Sequence, residues 1–214
     1  MRSKSRSSFL FALTLFCSIA TVFAQDQAPA PSFKEGDTWQ FNISRKGQIT
    51  SSSERVAGIY ELVLSQGQVK VYEVNGNQKT EMDIKLDGPG AGLLAHVGKN
   101  EERPTLKFPL SVGQKWSYEY QTTPAGARVE QKRSVEVNVA GIEQVITPGG
   151  SFRAYKLVRS EQWQSGGRNR TVWNRSTITY FYSPETRSVV KSSTASENSS
   201  ATAETELIKF TPGN

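Results

Sequence analysis

The chain twice repeats a short pattern in which a glycine precedes an alternation of aromatic and polar residues. Gly36 stands three residues before Trp39, and Gly113 stands three residues before Trp116; in both copies another aromatic residue follows two positions after the tryptophan. Successive side chains of a β-strand point to opposite faces, so this spacing places the aromatic residues on one face. For this glycine–tryptophan motif we expect a turn at each glycine, a strand after it, and both tryptophans buried at equivalent places in the core.

A β-hairpin is predicted around Asn75-Gly76, the strongest turn signal in the chain. A type I′ turn needs positive φ at both central positions, which Asn-Gly supplies. Centring the turn there places Val71 opposite Thr80 and Lys70 opposite Glu81. One face of the hairpin is then apolar and the other mostly polar, with Val69, Val71, Met82 and Ile84 on the first and Lys70, Tyr72, Lys79 and Glu81 on the second. Turn chemistry and side-chain pattern therefore agree, and a shift by one residue would destroy that agreement.

A longer hairpin is predicted over residues 152–182, with its turn at Gly166-Gly167. This turn places Trp163 opposite Arg170, close to the tip. The two strands then share an apolar core face made of Tyr155, Leu157, Val172, Ile178 and Tyr180. The base of this hairpin should therefore be anchored in the core, and its tip should project.

Similar alternation recurs along the chain, whereas no stretch after residue 24 keeps helical periodicity for three turns. The predicted fold class is mostly β and antiparallel, either a strongly curved open sheet like a half-barrel or a two-sheet sandwich. Two similar β halves, residues 33–107 and 108–214, would each open with the glycine–tryptophan motif. Residues 87–100, which lie between the two motifs, are interpreted as a turn of helix or an apolar loop. Residues 192–203, after the second motif, are interpreted as a Ser/Thr/Ala-rich loop.

The first 24 residues have the features of a cleaved signal peptide. Three basic residues lie within the first six positions, an apolar run follows, and small residues precede residue 25. We therefore expect cleavage after Ala24 and a periplasmic or secreted mature chain without a transmembrane segment. Residues 25–32, polar and with two prolines, are interpreted as a disordered lead-in.

Removal of this leader changes the charge and the cysteine content. The whole chain has 26 basic and 20 acidic residues and a net charge of +6; three of the basic residues lie in the leader, so +3 remains. That small excess gives no reason to expect nucleic acid as a partner. The single cysteine, Cys17, leaves with the leader, so packing rather than a disulfide must stabilise the mature fold.

Residues for catalysis are sparse. The only histidine, His96, has no cysteine or second histidine to help it bind a metal, and no nucleophile elbow or phosphate-binding loop is present. A pair of carboxylates could still form from the acids at residues 83–102, although acids on the exposed face of a hairpin explain them more simply. We therefore expect no catalytic residue, metal or cofactor, and a protein that is not an enzyme.

One cluster of basic and aromatic residues stands out in the 152–182 hairpin. Its candidate contact residues are Trp163, Arg168, Arg170, Trp173 and Arg175. The functional interpretation is a hairpin tip that meets an anionic surface, such as lipid head groups, lipopolysaccharide or acidic glycan. The alternative is an edge hairpin protected from aggregation by its basic side chains, with Trp163 stacked on Arg170.

Residues 108–191 resemble a family of bacterial envelope proteins, the TapB-like periplasmic domains of unknown function. The resemblance rests on four segments, residues 109–118, 147–156, 182–185 and 189–191. Where the family has a glycine just before its Val-Val-Lys strand, this chain has Thr186-Arg187-Ser188. The resemblance implies a β-rich envelope domain and supplies no catalytic residues.

Two functions of different kinds fit this sequence. The leading hypothesis is a non-catalytic envelope domain that binds an apolar or amphipathic ligand in the concavity of its sheet, as in lipid or lipoprotein handling; many aromatic residues and an apolar segment at residues 93–97 favour it. The alternative is a module that binds an envelope protein or an anionic surface through the 152–182 hairpin. A deep apolar concavity would favour the first function, and a filled core the second.

Overall fold

A computed structural model describes residues 26–46, 57–82, 104–123, 130–167, 170–197 and 199–214. Within these residues all regular structure is β-strand, with no helix. The strands are β1 (Gln27–Ala28), β2 (Thr38–Lys46), β3 (Gly58–Ser65), β4 (Gln68–Asn75), β5 (Gln78–Met82), β6 (Leu110–Ser111), β7 (Lys115–Thr122), β8 (Gln131–Thr147), β9 (Gly150–Gly167), β10 (Arg170–Ser183), β11 (Ser188–Ser196) and β12 (Ser199–Thr211). The described part of the chain contains no helix with the length and hydropathy needed to cross a bilayer.

Ten of the strands form one antiparallel sheet in the order β5-β4-β3-β2-β12-β11-β10-β9-β8-β7. Strands β5 and β7 are its two edges, and no pairing joins them among the described residues, so the sheet is not closed into a barrel. The short strands β1 and β6 form a second, two-stranded sheet. The prediction of a mostly β, antiparallel, open sheet is confirmed.

The sheet is curved enough to bury both of its faces at the start of β9. Ala154 and Tyr155 are neighbours in β9 and point to opposite sides, yet each is 2% exposed or less. Ala154 packs in a first core cluster with the N-terminal strands, around Trp39, Phe41, Tyr60, Leu62 and Leu207. Tyr155 packs in a second cluster, around Leu110, Val135, Val137, Val139, Leu157, Tyr180 and Tyr182. The first residues of β9 therefore lie between the two core clusters.

Two local features bring this end inside the molecule. A bulge at Ala140-Gly141 interrupts β8 without ending it, because the pairing with β9 shifts there and continues. A bulge bends its strand and increases the twist. Beyond it, the turn between β8 and β9 reaches β12, where Gly149 N donates to Leu207 O at 3.0 Å. A side chain at residue 149 would meet the backbone of Ile208 at 2.9 Å, so only glycine fits this contact.

Both copies of the glycine–tryptophan motif form the predicted turn. Gly36 has a φ of 83° and Gly113 a φ of 85°, the left-handed region that glycine adopts without strain. In the first copy, Gly36 N donates to Leu64 O at 2.9 Å and Leu64 N donates back at 2.9 Å to the carbonyl after the glycine. In the second copy, Gly113 N donates to Val139 O at 2.8 Å and Val139 N donates back to Gln114 O at 2.9 Å. The two turns are thus docked on their neighbouring strands in the same way.

The residue after each glycine closes its turn with its own side chain. Asp37 Oδ2 accepts a hydrogen bond from Lys34 N at 2.8 Å, and Gln114 Oε1 accepts one from Ser111 N at 3.2 Å. Each side chain therefore reaches back three residues to a backbone N–H. Different chemistry, a carboxylate and an amide, performs the same task in the two copies because both offer an acceptor oxygen.

Asp37 also ties three distant segments together. It is fully buried, and its Oδ1 accepts from Arg187 Nη2 at 2.7 Å and from Gly213 N at 2.8 Å. Arg187 has a φ of 59°, in the left-handed region, and lies in the Thr186-Arg187-Ser188 segment that this chain has in place of the resembled family's glycine. The turn at residues 184–187 therefore forms without that glycine, and its arginine becomes a partner for a buried carboxylate.

The prediction of equivalent burial for the two tryptophans is wrong for one of them. Trp39 is 0% exposed, whereas Trp116 is only partly buried. The reason is position in the sheet, since β2 has neighbours on both sides and β7 is an edge strand. Both indole N–H groups still find a backbone acceptor, Trp39 at Thr186 O (2.7 Å) and Trp116 at Pro104 O (2.8 Å).

Both hairpins form, and both have a different register from the predicted one. In the first, Val71 lies opposite Met82 rather than Thr80, and the two-residue loop is Gly76-Asn77. The register moves by two residues, so the predicted faces survive where the structure describes them: Val71 is buried, and Lys79 and Glu81 are exposed. Ile84 lies outside the described residues.

The second hairpin differs by four residues. Trp163 lies opposite Asn174, not Arg170, and Tyr155 lies opposite Tyr182. Gly166-Gly167 continue β9 and pair with Thr171 and Arg170 instead of turning the chain. The shift is again even, so Tyr155, Leu157 and Tyr180 keep the buried face that the pattern predicts, and Ile178 is partly buried against them, but Val172 is exposed.

Two segments predicted to lack structure are ordered. Gln27–Ala28 pairs with Leu110–Ser111, and Ala28 is buried, so residues 26–32 are not a disordered lead-in. The stretch 192–203 forms the end of β11 and the start of β12 rather than a loop. Residues 192–196 pair with β10, and residues 199 and 203 pair with β11, so ladder pairing outweighs the loop-like composition. The leader, the segment 87–100 and His96 lie outside the described residues.

Candidate functional site

A network of charged and phenolic groups lies on the face of β7–β10 that also carries Leu157 and Tyr180, here called the inner face. Glu161 is its centre: Oε1 accepts from Arg133 Nη1 at 2.9 Å and from Tyr120 Oη, and Oε2 accepts from Arg159 Nη1 at 2.7 Å. Arg159 Nε also donates to Tyr118 Oη at 3.4 Å. We call these five residues the Glu161 network.

Register explains why three strands contribute to it. Arg133 of β8 lies opposite Tyr120 of β7 and opposite Trp163 of β9, in one row across the sheet. Glu161 and Arg159 follow at the next same-face positions of β9, toward the apolar core. Cross-strand neighbours on one face are close enough for hydrogen bonds, so the sheet itself assembles the network.

The network is buried, and its charges depend on one another. Arg159 is 8% exposed and Glu161 is 5% exposed. Burial alone would raise the pKa of the Glu161 carboxyl, but Arg159 and the hydrogen bonds from Tyr120 and Arg133 outweigh it and hold that pKa below its usual value. Burial likewise acts to lower the pKa of Arg159, and the adjacent Glu161 carboxylate raises it instead. Both groups are therefore ionised at neutral pH.

The tyrosines nearby remain protonated at neutral pH. Burial, together with its hydrogen bond to Glu161, raises the pKa of Tyr120, and burial raises the pKa of Tyr180 to about 12. A protonated phenol can donate, so Tyr120 supplies a hydrogen bond to the carboxylate rather than competing with it for protons.

Aromatic side chains surround the charged centre. The Arg133 guanidinium lies over the Trp163 ring, 4.5 Å from its centroid, and the Tyr118 and Tyr120 rings are 6.3 Å apart. All three rings are half-buried, as is Trp116 in the next row of β7. This part of the inner face therefore offers apolar ring surface beside a buried charge, whereas the part toward Leu157 is closed core.

Two shallow grooves lie on the opposite, outer face of the sheet. One, of about 600 Å³, runs along β7–β9 beside Lys115, Glu136 and Val158. The other, of about 380 Å³, lies beside Gln40, Glu61 and Lys209. Polar side chains dominate both grooves, so neither is the deep apolar concavity that the leading hypothesis asks for.

The five candidate contact residues are divided between the two faces. Trp163 belongs to the inner face, while Trp173, opposite Gln164, points outward and is 65% exposed. Arg175 also points outward and pairs with Glu197 at 3.3 Å. Arg170 is a residue of β10 whose side chain is not described, and Arg168 lies outside the described residues. Of the three whose side chains the structure describes, Trp163 therefore lies on one face, and Trp173 and Arg175 lie on the other.

Acids from other segments offset much of the positive charge of this hairpin. Four of its basic residues are in ion pairs: Arg153 with Asp26, Lys156 with Glu143, Arg159 with Glu161, and Arg175 with Glu197. Only Glu161 lies within the hairpin sequence between these basic residues. Counting charges along one segment thus overestimates its basic character, because partners come from elsewhere in the sheet.

Sequence reasoning overlooked Arg133 and gave no role to Glu161. A signal was present, because Arg133 is in phase with the apolar positions Val135, Val137 and Val139, and Glu161 is in phase with Leu157. A charged residue in phase with the buried face of a strand needs a partner. Among the described residues, no group of three His, Cys, Asp or Glu side chains is arranged to hold a metal ion.

Comparison with known proteins gives structural likenesses only. No family model and no curated protein matches the chain, so the resemblance to TapB-like domains stays a prediction. A candidate lipoprotein from Parabacteroides distasonis is 12% identical with a TM-score of 0.48, covering 87% of this chain and 100% of its own. A candidate exported protein with a YmcC-like fold from Bacteroides fragilis is 11% identical with a TM-score of 0.40, covering 86% and 99%.

The hypothetical lipoprotein YmcC from Escherichia coli is 15% identical with a TM-score of 0.35, covering 83% of this chain and 86% of its own. With identities of at most 15% and TM-scores of at most 0.48, these likenesses carry no argument about what this chain binds.

Proposed function

We propose that this protein is a non-catalytic domain of the bacterial envelope, secreted or periplasmic, that binds an amphipathic ligand on the inner face of β7–β10. The observation that carries the proposal is the change in character along that face. It is closed apolar core around Leu157 and Tyr180, and it becomes half-buried aromatic surface around an ionised centre at Trp163 and Arg133.

This combination suits a molecule with one apolar and one polar part. Aromatic rings supply apolar contact area, and about 25 cal/mol is gained per Å² of apolar surface removed from water. The polar part would meet hydrogen-bond donors that the sheet already holds in position. A ligand lying along the aromatic rings, with its polar end at Arg133, would use both.

The state of the Glu161 network argues for binding rather than catalysis. An effective general acid or base has a pKa near the operating pH. Glu161 has its pKa lowered, and Tyr120 and Tyr180 have theirs raised, so all three are held far from that range. Groups fixed in one protonation state can recognise a ligand but are poorly suited to exchange protons with it.

The proposed site of action rests on the signal peptide expected at residues 1–24. Cleavage after Ala24 would release the mature chain on the far side of the inner membrane, where lipids and lipoproteins are the abundant amphipathic molecules. Handling of such a lipid or lipoprotein is the role we propose for the binding face.

Replacing Trp163 with alanine should weaken amphiphile binding about tenfold, because an aromatic contact worth about 1.4 kcal/mol is lost. The matched control is Trp173→Ala, since Trp173 lies ten residues away in the same hairpin and points to the outer face. Tryptophan-to-ligand energy transfer with a fluorescent fatty acid would give both affinities, and native mass spectrometry of protein from its own periplasm would show a co-purifying lipid. Equal affinity for wild type and Trp163→Ala would contradict the proposal.

A second function is favoured by an exposed outer residue of the same hairpin. Trp173 is 65% exposed on the outer face close to the tip, where it could enter the head-group region of an anionic membrane. The double change Arg168→Ala/Arg170→Ala should then weaken the free energy of binding to anionic vesicles by about 1 kcal/mol per charge at low salt, as measured by co-sedimentation. Thermal stability should not change.

The tryptophan pair separates the two functions. Loss of vesicle binding in Trp173→Ala, with Trp163→Ala unaffected, would favour the membrane-docking hairpin over the inner-face site. Equal co-sedimentation of wild type and the double arginine variant would rule the docking hairpin out.

A further inference from the structure

The charges on the inner face of β7–β10 do not balance. In the described rows of that face, Arg133 and Arg159 are the cations and Glu161 is the anion, which leaves one positive charge. The remaining same-face residues in those rows are uncharged, among them Trp116, Tyr118, Tyr120, Trp163, Asn174, Ser176 and Ile178. A buried positive charge is costly unless an anion compensates it.

The Glu161 network also has more hydrogen-bond donors than its one carboxylate can accept. Both oxygens of Glu161 are used, one by Arg133 and Tyr120 and the other by Arg159. Arg133 donates from Nη1 to Glu161 and from Nη2 to Gln131 Oε1 at 3.2 Å, which uses two of its five N–H donors. The Glu161 carboxylate therefore already accepts three hydrogen bonds, and each Nη of the guanidinium keeps one further N–H to donate.

The position of Arg133 makes this capacity available at the aromatic surface. Its side chain is 20% exposed, against 10% for Arg159, so it is the outermost cation of the network. Stacking over Trp163 holds the planar guanidinium against a ring, and a guanidinium presents its donors to an oxyanion in a fixed fork. The hydrogen bonds from Nη1 to Glu161 and from Nη2 to Gln131 fix its orientation.

We propose that the ligand carries an oxyanion, a carboxylate or a phosphate, which Arg133 binds beside the ring of Trp163. This inference rests on the proposed amphiphile-binding function and names the chemical class of the ligand's polar end. The apolar part would then extend over the half-buried rings of Tyr118 and Trp116, in the rows next to Arg133.

The test uses the mature protein and three single-chain amphiphiles with the same twelve-carbon tail: dodecanoate, dodecyl phosphate and dodecyl maltoside. Isothermal titration should show that Arg133→Gln weakens the two anionic ligands roughly ten- to hundredfold, because a hydrogen bond to a charged group is lost. Affinity for the neutral maltoside should change less than about twofold. The stronger of the two anions in wild type tells a carboxylate ligand from a phosphate one.

Lys132→Gln is the matched control. Lys132 is the preceding residue of β8, carries the same charge, points to the outer face and pairs with Glu119 at 2.7 Å, so its loss should leave all three affinities unchanged. Arg133→Lys keeps the charge without the fork and should lose affinity for the anions only in part. If Arg133→Gln does not fold, this variant and the salt dependence of wild-type binding, steep for the anions and flat for the maltoside, test the same point.

The outcomes separate the two proposals. If wild type binds all three amphiphiles and Arg133→Gln weakens them equally, anion recognition is wrong while amphiphile binding stands. Tighter binding of the maltoside than of either anion by wild type would overturn the inference in the same way. If wild type binds none of the three, the proposed function itself fails.

Discussion

Trp39→Ala is expected to lower the free energy of unfolding by about 3–5 kcal/mol, a large part of the stability of an ordinary domain. Trp39 is 0% exposed, and its ring contacts Phe33 and Phe210 at centroid distances of 5.8 and 5.7 Å. Alanine would leave a cavity. It would also remove the indole N–H that donates to the Thr186 carbonyl at 2.7 Å. Urea denaturation followed by circular dichroism measures the loss.

Trp116→Ala is the matched control, because it removes the same side chain from the other copy of the glycine–tryptophan motif. Trp116 is only partly buried in an edge strand, so its loss should cost less than half as much. Equal destabilisation by the two changes would show that the edge strand is as important to the fold as the central one, against this account.

Glu161→Ala is expected to lower the free energy of unfolding by about 3–5 kcal/mol at pH 7. The change leaves the guanidinium groups of Arg133 and Arg159 without their carboxylate. Folding lowers the pKa of Glu161 below its unfolded value of about 4.3. Its contribution is therefore fully present above that unfolded value and is lost as the pH falls through the folded pKa. The difference in stability between wild type and variant should be largest at neutral pH and should shrink below about pH 4.

An exposed ion pair of the same sheet is the control for this effect. Glu119 pairs with Lys132, and both side chains are more than half exposed. Glu119→Ala should cost less than about 1 kcal/mol at any pH, because solvent screens such pairs. Denaturant titrations of the three proteins between pH 3 and pH 8 provide the comparison; a pH-independent penalty in Glu161→Ala would mean that the ionised carboxylate is not what stabilises the network.

The contrast between faces and registers shows what the sequence alone can predict. Alternation has a period of two, so it determines which side chains share a face but is unchanged by any even shift along the partner strand. Both hairpins are shifted by an even number, and Val71, Leu157 and Tyr180 stay buried as expected. Gly166-Gly167 could have turned the chain, but extending β9 past them continues its pairing with β10 to Arg170.

The Glu161 network could not be assembled from the sequence for the same reason. Tyr120, Arg133 and Glu161 meet only through the registers of β7 with β8 and of β8 with β9. A bulge at Ala140-Gly141 shifts one of these registers, and the glycine there indicates an interruption without telling a bulge from the end of a strand. The turns at Gly36 and Gly113, by contrast, depend on local backbone conformation, which residue type determines directly, and both were predictable.

The place of β12 in the sheet has a consequence for the order in which the protein can fold. Strand β2 lies early in the sequence, and its partner on one side, β12, is the last strand of all. A ribosome delivers the first of these long before the second, so β2–β5 must wait with an unpaired edge until residues 199–211 have been made. Pairing between segments so far apart is slow because a long loop must close first. Until residues 199–211 are in place, β2 keeps one edge of backbone donors and acceptors unpaired, and such an edge can pair with another chain.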